Sequence, residues 1–193
     1  MSGTGLKKAY HEPGTKRNEG NVTKGGNEMS IGDFIRQYRK EKNITQGELA
    51  AQLNFERSMM SKVESGARKW PESSDAKLAS INWRFTLWLA DERTGGFISN
   101  LLKLVPNFDL HPSALKELLL KELKEGMQAL GEIIFVRHIC QKKRKEAAEK
   151  VWFELKDVVD KGVIMMGVLE EEFGLDREVL IKKHEYQVKQ GER

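Results

Sequence analysis

The stretch from Gln46 to Gly66 constrains this chain more than any other. Apolar or small side chains recur there at steps of three and four residues, in one run before Asn54 and another after it. This spacing predicts two short helices, each with one inward face. The positions concerned are Leu49, Ala50, Leu53, Phe55, Met60 and Val63. Because asparagine tolerates left-handed backbone geometry, Asn54 can close the first helix and redirect the chain within a few residues.

The ends of these helices are also marked. Thr45 followed by Glu48 forms the pattern of a capping box, which predicts that the first helix begins at or next to Thr45. Gly66 is suited to close the second helix. Upstream, Ser30 is a candidate N-cap for another helix whose apolar stripe is Ile31, Phe34, Ile35 and Tyr38.

Together these residues resemble the helix-turn-helix of the Cro/repressor (XRE-like) family of bacterial and phage DNA-binding proteins. The resemblance covers roughly Ser30 to Thr94. It rests on Gln46 opening the first helix, Ala50 at the helix crossing, Asn54 where the family usually has glycine, Met60 in a core position, and the run Ser61-x-x-Glu64-x-Gly66. It implies a five-helix domain that binds double-stranded DNA. The chain departs from the family at Trp83 to Arg93, a tryptophan-rich helix where many relatives have a short turn.

In this family the second helix of the motif, here Glu56 to Glu64, enters the major groove. The resemblance assigns DNA contacts to Gln46, Glu56, Arg57, Ser58, Met59, Ser61, Lys62, Arg68 and Lys69. Arg57 is the candidate for base reading, because a guanidinium can donate two bonds to guanine O6 and N7. Glu56 either accepts from cytosine N4 or holds Arg57 in place, and Met59 either touches a thymine methyl or is an exposed filler.

Other residues are expected to contact phosphate. Gln46 and Ser58 are placed to bond phosphate oxygens. Lys62, Arg68 and Lys69 would add an attraction that is independent of sequence and weakens with salt. The helix after Ser30 has a basic face with Arg36 and Arg39, which either lies near the DNA backbone or is simply solvated.

The charge distribution agrees with a nucleic-acid-binding N-terminal half. The net charge is +4, and residues 1–95 hold 16 Lys and Arg against 12 Asp and Glu, whereas residues 96–193 hold 17 of each. This asymmetry is typical of a polyanion-binding module beside a separate module. Residues 1–29 are glycine-rich and nearly free of apolar side chains, so we expect a disordered tail, either a solvated leader or an arm that follows the DNA.

The rest of the chain predicts helices only. Residues 96–112 are expected to be a connector with a short apolar helix over residues 97–104 and a loop containing Pro106 and Pro112. In residues 113–193 the pattern predicts a helix from Ser113 to about Arg137, a basic turn around Gln141–Lys145, a second helix from about Glu146 to Phe173, and a third from Asp176 to about Lys189. The fold class is therefore all-α, with a helix-turn-helix domain over residues 30–95 and an antiparallel helical hairpin after it.

Folding the hairpin about residue 141 places Gly131 opposite Trp152 and Gly162 opposite Leu119–Leu120, so these glycines are candidate packing positions. The hairpin should leave a wide apolar face that pairs either with a second copy or with the N-terminal domain. We favour a homodimer, because specific binding normally needs two half-sites about 34 Å apart.

Several classes of function are disfavoured by the sequence. Cys140 is the single cysteine, and with His138 it forms only a weak metal-ligand pair, so no metal or cofactor is expected. No catalytic triad or phosphate-binding glycine loop indicates an enzyme. No apolar run is long enough to span a membrane, and no signal peptide opens the sequence, which favours the cytoplasm and the nucleoid. The leading hypothesis is a dimeric repressor of prophage type; the alternative is an adaptor or antitoxin-like partner acting through its C-terminal helices.

Overall fold

The computed structural model describes residues 29–105, 107–133 and 140–191, and its regular elements there are all helical. The expected all-α class is confirmed. The helices are α1 (Ile31–Glu41), α2 (Gln46–Gln52), α3 (Arg57–Glu64), α4 (Asp75–Ile81) after a 3-10 turn (Glu72–Ser74), α5 (Trp83–Thr94), α6 (Leu101–Leu104), α7 (Pro112–Glu132), α8 (Gln141–Phe173) and α9 (Arg177–Gln190). The tail expected over residues 1–29 lies outside the described residues except for Met29.

The helix starts follow the caps expected from the sequence. The Glu48 N–H donates to Thr45 Oγ1 at 3.2 Å, and the Thr45 N–H donates to the Glu48 carboxylate at 2.6 Å. Ser30 and Asp33 form the equivalent box at the start of α1. Each box satisfies donors that a helix start would otherwise leave unpaired. Local side-chain chemistry therefore fixes where α1 and α2 begin.

Helices α1 to α5 enclose the first hydrophobic core. Its fully buried side chains include Ile35, Leu49, Leu53, Met60, Leu78 and Phe85. The Phe85 ring meets the edges of Phe34 and Tyr38 at centroid distances of 5.1 and 4.9 Å. Asn82 separates α4 from α5, because that residue is extended and its side-chain oxygen accepts from the Arg84 N–H at 2.9 Å.

A second core joins α5 to the C-terminal helices. Trp83 and Leu87 of α5 pack with Leu115 of α7 and with Ile164 and Val168 of α8. One helix thus contributes to both cores, so part of the hairpin rests on the helix-turn-helix domain. The domain limits at residues 95 and 112 stay a prediction.

Four expected helix limits are wrong. Gln141–Lys145 is not a turn but the first part of α8, because lysine, arginine and glutamine favour helix and their charge alone does not end one. Pro112 lies at the first position of α7, where its missing N–H costs nothing, rather than in a loop. The short apolar helix expected over residues 97–104 is limited to α6 (Leu101–Leu104). Helix α7 ends at Glu132 rather than at about residue 137. Pro106 and residues 134–139, which include Arg137 and His138, lie outside the described residues.

Ion pairs between α7 and α8 agree with the expected hairpin register, but the expected glycine packing does not occur. Lys150 lies 3.0 Å from Glu132 and Lys161 lies 3.3 Å from Glu122, which matches folding near residue 141. A Cβ on Gly131 or on Gly162 would meet no heavy atom within 4 Å. The helices are rotated so that other glycines make the close approaches. These are Gly126 against Val158 and Gly167 against the indole of Trp83.

Gly167→Ala is expected to lower the free energy of unfolding by about 1–3 kcal/mol, because the added methyl would overlap the buried Trp83 ring. The matched control is Gly131→Ala, which adds the same methyl in open space and should stabilise by up to about 1 kcal/mol. Urea unfolding of the two variants measures both changes. Equal effects at the two positions would contradict this packing of α8 on α5.

Candidate nucleic-acid interface

The turn between α2 and α3 holds these two helices at a fixed angle. Asn54 has φ of +55°, and the Phe55 N–H donates to the Ala50 carbonyl at 2.8 Å. Ala50 itself is 1% exposed, which leaves room at the crossing for only a small side chain. Met60 and Val63 of α3 are buried against this corner. The outer side of α3 is thereby directed away from the domain.

A buried carboxylate ties α3 to α1 and α2. Glu64 is 3% exposed and accepts from Arg39 Nε at 2.8 Å, from the second Arg39 nitrogen at 3.0 Å, and from Gln46 Nε2 at 2.9 Å. Arg36 donates to the Glu64 backbone carbonyl. These contacts hold three helices around one side chain.

The same contacts set the ionisation of Glu64. Burial alone would raise the pKa of this carboxyl, but the hydrogen bonds from Arg39 and Gln46 and the nearby positive charges outweigh it. The pKa of Glu64 therefore lies below its ordinary value. The hydrogen bond to Glu64 likewise raises the pKa of Arg39. The pair is charged at neutral pH.

Three of the expected phosphate contacts thus have internal partners. Arg39 is committed to Glu64 and also donates to the Ile44 carbonyl at 3.2 Å. The Gln46 side-chain amide is held by Glu64, and Arg36 bonds the end of α3 while lying 3.7 Å from Asp33. Their DNA contacts remain predictions. Within the described residues, the contacts of these three side chains with Glu64 hold α3 in position.

The beginning of α3 presents the exposed row that the sequence predicts. Arg57, Ser58, Ser61 and Lys62 are all exposed. Arg57 lines an open concavity together with residues from the start of α2 and the end of α1, among them Asn43, Thr45 and Gly47. The Arg57 guanidinium is therefore exposed at the start of α3, next to the end of α1 and the start of α2.

Two predicted residues differ from expectation. Glu56 is the N-cap of α3 rather than its first residue, and its carboxylate accepts from the Ser58 hydroxyl at 3.2 Å instead of holding Arg57. Met59 is half buried and packs against the first core, so it is not an exposed filler. Whether it also reaches a thymine methyl stays a prediction.

The loop after α3 carries two more basic side chains. Arg68 and Lys69 are exposed, and the Arg68 N–H donates to the Lys62 carbonyl at 3.0 Å. Trp70 anchors the loop, since its indole is 5% exposed, stacks edge-on with Phe55 at 5.2 Å and donates to Asp75 at 3.0 Å. The loop therefore fixes Lys62, Arg68 and Lys69 on one end of α3.

The role of Glu64 was not found from the sequence, although the signal was present. Glu64 follows Val63 and lies four residues after Met60, so it falls on the inward side of the helix. An acidic residue at such a position needs a cation from elsewhere in the chain. Arg39, 25 residues earlier, supplies it.

In the described part of the C-terminal half, one cluster of glutamates approaches metal-ligand spacing. Among the described residues, Glu122, Glu125 and Glu154 have carboxylate oxygens within 4.8 Å of one another. Lys161 lies 3.3 Å from Glu122, and Lys121 lies 3.1 Å from Glu125. These lysines already supply the positive charge that the carboxylates require.

Within the described residues, none of the helices is both long and apolar enough to cross a membrane.

Comparison with known proteins agrees with this geometry. Residues 35–80, from the middle of α1 to the end of α4, match the family model described as helix-turn-helix. No curated protein and no solved structure gives a significant match to the chain.

Proposed function

We propose that this chain, whose residues 35–80 form a Cro/repressor-type (XRE-like) helix-turn-helix, binds a specific operator as a homodimer and represses transcription. A DNA-binding regulator of this type inserts its recognition helix into the major groove. In this chain that helix is α3. Two copies would place two recognition helices about one turn of DNA apart, so that the bound dimer covers the operator.

The observation that carries the proposal is the two-sided character of α3. Its outer side exposes Arg57, Ser58, Ser61 and Lys62, whereas its inner side buries Met60. Arg57 lies in the first turn, where groove-binding helices meet base edges, and it has a guanidinium that fits guanine O6 and N7. Ser61, one turn further on, can accept from or donate to a neighbouring base. Glu56 can accept from cytosine N4.

Phosphate contacts would surround this row. The loop bearing Arg68 and Lys69 lies at the far end of α3, and Lys62 is beside it. Ser58 can reach a phosphate with its hydroxyl, and Gln46, the first residue of α2, and Arg36 of α1 would contact phosphate on the side of those helices. Each cation that neutralises a phosphate makes the affinity fall more steeply with salt. Arg57 would supply specificity, and the other cations would supply affinity for any sequence.

Selection of bound fragments from genomic DNA tests the proposal directly. The full chain is expected to enrich a sequence with two-fold symmetry, to protect it in a footprint, and to bind it less tightly as salt increases. Enrichment of no sequence at any salt concentration would contradict specific DNA reading.

The alternative is an adaptor or antitoxin-like protein. It is favoured by the apolar side chains that α9 exposes, among them Val179 at 59% and Tyr186 at 62% exposed. A surface of this kind can accept another protein. An adaptor would give no footprint in the selection experiment, so the same measurement separates the two functions.

Lys69→Ala is expected to weaken binding to operator and to random DNA by the same factor and to reduce the salt slope by about one. The reason is that Lys69 would meet a phosphate, which every sequence offers. Titrations at several salt concentrations measure both effects. The control is Lys124→Ala, which removes an exposed lysine of α7 that is not among the predicted DNA contacts. A loss confined to the operator would contradict a phosphate role for Lys69.

A further inference from the structure

Helix α8 carries an apolar row that its own chain does not cover. Its members follow one another at alternating steps of three and four residues, and we call this row the α8 seam. It consists of Trp152, Leu155, Val159, Gly162, Met166, Leu169 and Phe173. Other sides of α8 are occupied, since Val158 packs on α7 and Gly167 packs on α5.

Five of the seven seam residues are exposed, whereas Gly162 and Leu169 are partly buried. Trp152 is 49% exposed, Leu155 41%, Val159 45%, Met166 59% and Phe173 66%. A Cβ on Gly162 would meet no heavy atom within 4 Å. Within the described residues, therefore, the row lies on the surface although its composition is that of a core. An exposed apolar row of this extent indicates an interface.

The spacing indicates what kind of partner fits. Alternating steps of three and four over three heptads, about 32 Å of helix, are the pattern of a helix that packs against another helix in a coiled coil. Helix α7 exposes a shorter row with the same steps, Leu120, Leu123, Met127 and Leu130. Helical geometry puts both rows on one side of the hairpin, flanking the contact between Gly126 and Val158. The partner surface is therefore another helical pair.

We infer that the α8 seam packs against the α8 seam of a second copy of this chain, with the two helices antiparallel and the two-fold axis between Val159 and Gly162. This inference rests on the proposed dimeric function and names its interface. Two hairpins joined in this way form a four-helix bundle, with the α7 rows beside the seam.

Side-chain sizes are complementary in this register. In an antiparallel pair the two kinds of heptad position face each other across the axis. Val159 then lies opposite the partner's Gly162, and Leu155 lies opposite the partner's Met166. Trp152 lies opposite the partner's Leu169. The one glycine in the seam meets a branched residue at the centre, which lets the two backbones approach closely.

Charge favours the antiparallel direction. The first turns of α8 carry Lys142, Lys143, Arg144 and Lys145, whereas the exposed carboxylates at its end and in the next turn are Glu171, Glu172 and Asp176. Glu170 is already paired with Arg177 at 2.6 Å. Antiparallel packing brings the basic start of one α8 towards the acidic end of the other. A parallel pair would place like charges side by side, which is unfavourable.

A charge-exchange experiment tests the direction and the register together. Leu155→Glu and Met166→Lys are made separately in the full chain, and mass is measured by sedimentation. The wild type is expected at twice the 22.1 kDa of one chain. Each variant alone should associate at least about tenfold more weakly, since a charge would face an apolar residue in both halves of the interface. An equal mixture should restore a one-to-one heterodimer, because the carboxylate introduced in one chain then meets the ammonium introduced in the other.

The control is Val188→Glu, which places the same charge on an exposed apolar position of α9 outside the seam and should leave the dimer intact. Unchanged helical circular dichroism in every variant shows that the exposed positions tolerate the charge. A wild-type monomer, dimeric single variants, or a mixture that gives no heterodimer would overturn the inference. If one of these outcomes is found for a chain that still binds its operator, the α8 seam is not the dimer interface, but the proposal that α3 reads DNA still stands.

Discussion

Replacing Glu64 with alanine is expected to lower the free energy of unfolding by about 3–5 kcal/mol, the usual cost of breaking a buried ion pair by removing one partner. The substitution leaves Arg39, whose side chain is only 18% exposed, without its carboxylate, and it frees the Gln46 amide. Three helices lose the side chain that joins them. Urea unfolding of the full chain measures the change.

Glu117→Ala is the matched control, because Glu117 is an exposed glutamate on α7 and should change stability by less than about 0.5 kcal/mol. A second variant, Glu64→Ala combined with Arg39→Met, removes the stranded charge. It should recover part of the loss, since no charge is then left buried without a partner. A Glu64→Ala protein as stable as Glu117→Ala would show that the network contributes nothing.

The pH dependence follows from the lowered pKa of Glu64. A carboxyl with a lower pKa in the folded state stabilises the fold above the pKa of the unfolded chain, and this stabilisation is lost as the pH falls through the folded-state pKa. Glu64→Gln should therefore lose less stability than the wild type between about pH 7 and about pH 3. Hydrogen bonds from Ser30 and Thr45 also hold the pKa values of Asp33 and Glu48 low, so only the difference between the two proteins reports on Glu64.

The parts of the fold that depend on neighbouring residues could be predicted from the sequence. The box of Thr45 and Glu48 and the left-handed Asn54 act within a few residues, and the structure confirms both. The register of the hairpin was also accessible, because it depends on helix length and on where the chain reverses.

Features that depend on residues far apart in the chain could not be predicted from the sequence. The pairing of Arg39 with Glu64 joins α1 to α3, and each residue alone resembles an ordinary surface charge. The rotation of α7 and α8 about their axes was missed, because several faces of α8 are apolar and spacing alone does not say which one α7 covers. Gly162 was assigned to the hairpin interior for this reason, whereas it lies on the exposed seam.

Arg57→Ala is expected to cost about 1–3 kcal/mol on the operator, roughly a 5- to 150-fold loss of affinity, and far less on random DNA. The guanidinium can read guanine only where guanine stands at the right position, so its loss lowers the specific affinity and leaves the phosphate contacts in place. Arg57 is exposed at the start of α3, and its removal should not disturb the fold.

Arg57→Lys is the matched variant for charge. Lysine keeps the positive charge but does not offer the planar pair of donors, so it should lose specificity nearly as alanine does while retaining more affinity for random DNA. The operator used is the sequence enriched by the wild-type chain.

The most direct measurement is the ratio of operator to random-DNA affinity for the wild type, Arg57→Ala and Arg57→Lys at one salt concentration. If α3 reads bases through Arg57, the ratio falls by about fivefold or more in both variants. If both variants lose the same factor on operator and on random DNA, so that the ratio is unchanged, Arg57 contacts only the backbone and the assignment of α3 as the base-reading helix through this residue is contradicted.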